Sequence, residues 1–182
     1  DNGASNRIAR SLIKFDLSSI PANATITSAT LSVWTSGDLP TTNRLIRVYR
    51  LKTPFNEMQV TWDIASNGVN WQQVGAAGSN DRESSAIGSV TILNNEALNV
   101  EKQIVLTPSK IQELLNAAFT NNGFIIVADT ELNDRFNYST SDVSVAAQRP
   151  KLVIQYVVGT STNTSTVTPT FTPTLTAALT AT

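Results

Sequence analysis

The 182-residue chain sets 13 Lys and Arg against 14 Asp and Glu, a net charge of −1, and only 15 % of its residues are charged. So sparse and balanced a charge argues against nucleic acid or an anionic membrane as partner, because both require clustered cations. The chain has no Cys and no His, which removes disulfides, thiol nucleophiles, zinc–thiolate sites and the commonest general base.

The body reads as short alternating strands separated by turn signals, the pattern of a β-sandwich. Ser11–Leu17 places Ile13, Phe15 and Leu17 on one face, and Pro21-Ala22-Asn23 makes a turn. Thr25–Trp34 alternates Ala29, Leu31 and Val33 with Thr30 and Ser32. Leu45–Leu51 alternates Arg with apolar residues and is expected to be half exposed. Val60-Thr61-Trp62 reads as a short strand, and residues 63–88, rich in Gly, Ser, Asn and Ala, as long loops over one end of the sandwich. Ser89–Leu93 and Val100–Leu106 follow as strands. Thr107 as N-cap, Pro108 in the first turn and Ile111, Leu114, Leu115 and Ala118 at helical spacing predict one helix, ended by Asn121-Asn122-Gly123 in a left-handed cap. Phe124–Ala128 reads as a buried strand and Leu152–Val158 as the last strand of the body. No run approaches the ~18 apolar residues of a membrane span. No leader-like segment opens the chain, as expected of a mature or trimmed protein. Abundant Thr, Ser and Asn suit a secreted surface protein.

Composition changes after Gly159: residues 160–182 hold no charged side chain and are dominated by Thr, 11 of 23. This divides the chain into a sandwich domain, 1–158, and a tail, 159–182. Val167, Pro169, Phe171, Pro173, Leu175, Ala177 and Leu179 occupy odd positions, while the even positions from 166 to 182 are Thr except Ala178. Period two marks a strand with one apolar face. Extended, 17 residues span ~55 Å, and the two prolines restrict pairing to part of that length. A mucin-like Thr-Pro linker is the plainer reading of such a segment.

Asn6-Arg7 with Ser11-Leu-Ile-Lys-Phe-Asp-Leu-Ser-Ser-Ile-Pro21 and Ile26–Val33, then Glu57 with Val60-Thr61-Trp62, then Phe136–Asp142 and Arg149-Pro150-Lys-Leu-Val-Ile-Gln-Tyr156 together resemble the DNRLRE-type domain, whose relatives include the family-96 carbohydrate-binding modules. The resemblance implies an all-β, jelly-roll-like antiparallel β-sandwich used as an accessory module of secreted or surface proteins, in some relatives linked to polysaccharide binding. Such domains usually open with a further strand-bearing stretch, which here is expected to be missing. A groove left by a missing strand exposes unpaired backbone, and the alternating tail is suited to fill it. Head-to-tail donation of a strand between copies does not close on itself and propagates as a filament. The leading expectation is therefore a non-enzymatic, extracellular fibre subunit whose partners are copies of itself. Insertion of the tail into its own body is the nearest competitor, and a carbohydrate-binding accessory module with a Thr-rich linker is the alternative.

Other chemistry is weaker. Trp34, Trp62 and Trp71 suit sugar stacking, but core packing is the expected fate of Trp34 and Trp62, which leaves Trp71 with Asn70 and Gln72 as the saccharide candidates. Asp129, Glu131 and Asp134 form an oxygen-rich turn in which calcium is conceivable, although a solvated turn explains it as well; no other cofactor is implied. Asp16, Glu57 and Asp63 are carboxylates without a marked pair, and Asp16 is expected to cap the turn at Ser18. Lys14 is considered for an isopeptide bond and read as solvated. Asn23-Ala-Thr25, Asn137-Tyr-Ser139 and Asn163-Thr-Ser165 match glycosylation acceptors.

Overall fold

A computed structural model describes residues 8–37, 40–131 and 137–159, together with the backbone of 170–171 and 175–180. The protein is all-β with one short helix. Its strands are β1 (Ser11–Phe15), β2 (Ala24–Ser36), β3 (Arg44–Arg50), β4 (Ile64–Ser66), β5 (Val69–Asn70), β6 (Gly88–Ile92), β7 (Glu101–Leu106), β8 (Phe124–Ala128), β9 (Asn137–Tyr138), β10 (Lys151–Val158), β11 (Thr170–Phe171) and β12 (Leu175–Thr180); helix α1 is Pro108–Leu115. A single antiparallel sheet runs β11-β10-β2-β7-β6-β3-β8-β1-β12, with β9 beside the end of β2, and β4-β5 form a separate hairpin.

The long sheet curls into a sandwich because its strands alternate. Ala29, Leu31 and Val33 of β2, Ile104 and Leu106 of β7 and Leu152, Ile154 and Tyr156 of β10 meet Ile13 and Phe15 of β1, Ile46 and Val48 of β3 and Phe124 and Ile126 of β8 in one buried core. The fold turns at β6–β7, where one registered pair, Gly88 with Leu106, joins the halves. A Cβ at Gly88 would stand 2.5 Å from the Val105 carbonyl oxygen, so only glycine permits this approach.

The outer face of the β3-β8-β1 half is also covered. Leu12, Leu51, Ile125 and Val127 pack there against Ala65, Trp71 and Ala76 of the 52–82 excursion. Residues 63–88, expected as long loops, contain the β4-β5 hairpin and β6's first residue, whereas Val60-Thr61-Trp62, expected as a short strand, forms none. The carboxylate of Asp81 organises the excursion, accepting the amides of Gln72 (2.7 Å), Gln73 (3.0 Å) and Gly78 (2.8 Å).

Helix α1 begins as expected, but the Thr107 hydroxyl donates to the Ile87 carbonyl (3.1 Å) instead of capping the helix. The helix ends at Leu115, earlier than the Asn-Asn-Gly signal, because the chain turns left-handed at Ala117 (φ 55°). Asn121 and Asn122 serve as tethers, donating to the carbonyls of Phe15 (2.9 Å) and Lys52 (2.6 Å).

Candidate assembly edge

β1 and β10 are the places where the body's sheet runs out. β1 pairs through Ser11–Ile13 with β8 on one side, and β10 pairs along its length with β2. Each would otherwise present a row of unpaired N–H and C=O groups, a template for aggregation. The tail covers both. β11 pairs antiparallel with β10, setting Phe171 opposite Ile154 and Thr170 opposite Gln155. β12 pairs antiparallel with β1, setting Leu179 opposite Leu12 and Leu175 opposite Phe15.

Of the seven tail residues singled out by alternation, Phe171, Leu175, Ala177 and Leu179 fall in these strands, whereas Val167, Pro169 and Pro173 lie outside the described residues. The register shifts between Ile13 and Lys14, with Ala178 opposite the first and Thr176 opposite the second. A β-bulge of this kind changes the phase of the strand. Leu175 and Leu179, of one parity in the tail, are consequently in register with β1 positions of opposite parity, Phe15 and Leu12. Both paired segments belong to the same chain as the strands they cover.

The saccharide candidates do not assemble. Trp71 is only 6 % exposed, packs in the second core, and donates its indole N–H to the Thr61 carbonyl (3.1 Å), so its ring offers no face to a sugar. Asn70 and Gln72 beside it are exposed, and the Gln72 side-chain oxygen accepts the Asn80 amide (2.7 Å). Trp62, expected in the core, belongs to neither cluster: it lies between Gly75, where a Cβ would stand 2.6 Å from the ring, and the Arg10 guanidinium, 5.1 Å from the ring centroid. Trp34 is also outside both cores, half-buried on β2 opposite Glu101. A cavity of about 20 Å³ between Arg10, Trp62, Trp71 and Ile125 has room for one water and not for a sugar ring.

Of the cation candidates, Glu131 is bound in both oxygens by Arg10 (2.7 Å each), Asp129 is exposed, and Asp134 lies outside the described residues. No metal-ligating cluster is found among the described residues. Asp16 does cap its turn, accepting the Ser18 amide and hydroxyl (2.8 Å each); the amide bond, then the hydroxyl, lowers its pKa. Glu57 and Asp63 make no side-chain hydrogen bond or ion pair with a described residue. Lys14 is exposed, as its position on the strand predicts.

One centre escapes sequence reasoning altogether. Arg50 sits among the alternating Arg residues of β3, yet it is fully buried. Its guanidinium donates to both oxygens of Glu83 (2.7 Å each), to Glu113 (2.6 Å) and to the Lys110 carbonyl (2.7 Å), and lies 3.9 Å from the Phe119 ring centroid. Its hydrogen bond to Glu83 is the main cause holding that carboxyl below its ordinary pKa. The only sequence signal is phase: position 50 shares the parity of the core residues Ile46 and Val48.

A Cys-free, all-β module with a curled antiparallel sheet, closed at both ends by its C-terminal strands, is what the fold and this edge define. Residues 1–154 match the disaggregatase related repeat domain, and the chain belongs to that β-rich repeat family. No curated protein matches the chain.

Proposed function

We propose that this chain is a non-catalytic structural unit of an extracellular surface assembly whose C-terminal strand completes an otherwise open sandwich. The observation that carries this reading is the placement of β11 and β12 on the two terminal strands of the body's sheet, β10 and β1. A repeat family suits modules strung together, and covered edges keep such modules from sticking nonspecifically. Closure within one chain gives a self-contained unit. Donation of the same strand to β1 of a neighbour gives a head-to-tail fibre. Residues 159–169 separate β10 from β11, and an extended run of 11 residues spans ~36 Å, enough for the exchange of an identical element between copies.

A disulfide placed in the observed register separates these outcomes. Ser11 faces Thr180, and directly opposed antiparallel residues lie within disulfide reach. In the otherwise Cys-free chain, Ser11→Cys with Thr180→Cys should close under oxidation. A cross-linked monomer at all concentrations rejects fibre donation and keeps the closed unit. A ladder of linked oligomers establishes donation. Failure to cross-link in any form rejects the strand pairing and, with it, the reading as a whole.

The kinship to the DNRLRE-type and family-96 carbohydrate-binding domains is a finer reading, supported by the strand motifs at Ser11–Pro21 and Arg149–Tyr156. The burial of Trp71 weighs against the saccharide platform first expected for it.

A further inference from the structure

The 52–82 excursion ends outward in a turn with reactive chemistry. β4 and β5 are three and two residues long, and a lone two-stranded hairpin holds weakly in water. Asn67-Gly68 joins them, with Ser66 opposite Val69 and a register shift between Ile64 and Ser66. Gly68 takes φ 77° while Asn67 stays outside the positive-φ region. That is the pattern of a type II turn, not of the type I′ turn whose twist suits a hairpin. Asn67, Gly68, Val69 and Asn70 are all exposed.

Neither the Asn67 carboxamide nor the Gly68 amide forms a hydrogen bond with a described residue; only the backbone N–H of Asn67 is held, by the Gln59 side-chain oxygen (3.1 Å). A Cβ at Gly68 would meet no atom within 4 Å, so the turn stands in open space. The other described Asn-Gly pair, Asn122-Gly123, is the opposite case. Asn122 is 8 % exposed, and its side-chain nitrogen donates to the Lys52 carbonyl (2.6 Å). The Gly123 amide donates to the Asn121 side-chain oxygen (3.3 Å), and its carbonyl accepts the Leu51 amide (2.9 Å).

We infer that Asn67 is a site of spontaneous covalent modification, converting through a cyclic imide into aspartate and isoaspartate. The deprotonated Gly68 nitrogen attacks Cγ of Asn67. A new N–Cγ bond forms, the Cγ–Nδ2 bond breaks, and ammonia leaves with the amide proton. Water then opens the ring at either carbonyl. Opening at Cγ gives ordinary Asp; opening at the backbone carbon leaves the chain running through Cγ, longer by a methylene. No oxidant, reductant or cofactor takes part. Glycine is the successor that favours the attack, because no Cβ shields its nitrogen and its backbone turns freely toward the side chain. Asparagine is thermolabile, and this pair leaves it unguarded. The reaction adds one negative charge to a chain of net charge −1 and, in the isoaspartate form, displaces the Ser66–Val69 pairing. Ala65 and Trp71 anchor the base of the hairpin in the second core, so the change is confined to the tip. It depends neither on the tail nor on the proposed role in an assembly, and it gives a long-lived module a chemical mark of its age.

Storage of the purified full chain at mildly alkaline pH, followed by peptide mapping with tandem mass spectrometry, tests this. The peptide holding Asn67 should gain about 1 Da, water added for ammonia lost, and resolve into Asp and isoAsp forms. The rate should rise with pH, because the attacking nitrogen must shed its proton. In the folded chain Asn122 should react at least about tenfold more slowly, and in urea it should catch up, because the fold alone protects it. Asn67→Gln should stop the change at this position, and Gly68→Ala should slow it. Isoaspartyl methyltransferase should label the Asn67 peptide of the stored chain but not that of fresh Asn67→Asp, which has the mass of the product and the ordinary backbone. Asn2-Gly3 lies outside the described residues and is scored on its own peptide. An unmodified Asn67 in the folded chain, equal rates at Asn67 and Asn122, or a product that is all Asp with no isoAsp form overturns the inference.

Discussion

Replacing Arg50 by Met tests whether the buried guanidinium is a keystone or a passenger. The substitution keeps much of the apolar stem and removes four charge-assisted hydrogen bonds, to Glu83, Glu113 and the Lys110 carbonyl. Breaking one side of a buried ion pair costs about 3–5 kcal/mol, chiefly because the remaining charge is stranded. Glu83 keeps 19 % side-chain exposure, so water recovers part of its solvation and the lower end applies. The cation–π contact with Phe119 goes as well. The expected loss is about 3 kcal/mol, and a domain of this size should melt ~6–12 °C lower. Urea unfolding measures it directly, as a shifted midpoint at unchanged slope. The double variant Arg50→Met with Glu83→Gln should recover part of the loss, since the stranded charge is then gone. A loss under about 1 kcal/mol, or strict additivity of the two substitutions, refutes the account of Arg50 as the partner that justifies the buried charge.

Two further outcomes follow from the same geometry. Glu83 is held below its ordinary pKa of 4.5 mainly by Arg50, and Glu101 likewise mainly by Lys151. The unfolded chain therefore binds more protons than the folded one, so stability rises with pH in this range. Melting temperature should be flat near neutrality and fall as pH drops below about 5 toward the lowered folded-state values; Arg50→Met should flatten that fall, and an identical slope in both proteins contradicts it. Gly123→Ala should destabilise by about 1–3 kcal/mol, because φ is 89° and the new Cβ would stand 2.5 Å from the Ile13 carbonyl oxygen; chemical denaturation reads it, and a neutral result means that β1 and β8 do not approach as described.

The legibility of this molecule depended on whether a signal was local. Alternation in β1, β2, β7 and β10 is legible because a half-buried strand writes its two faces into neighbouring residues. Residues 63–88 are less legible, since the burial of Trp71 depends on Leu12, Leu51, Ile125 and Val127, which the sequence places far from it. The three tryptophans illustrate the same limit. Trp34 and Trp62 lie in apolar-looking stretches and stay outside both cores, whereas Trp71 lies in a polar one and is buried.

By itself the sequence determined the all-β class, the core faces of most strands, the start of the helix and the presence of an alternating ribbon after the body. Those are properties of spacing, and spacing needs no partner to be seen. Only the tertiary structure decided which edges that ribbon covers, that Arg50 is buried between two carboxylates while Arg47 has no ion-pair partner among the described residues, and which tryptophan is covered. Burial and pairing are set by what the rest of the chain brings alongside a residue, and residues up to 169 positions apart, such as Ser11 and Thr180, meet only after folding.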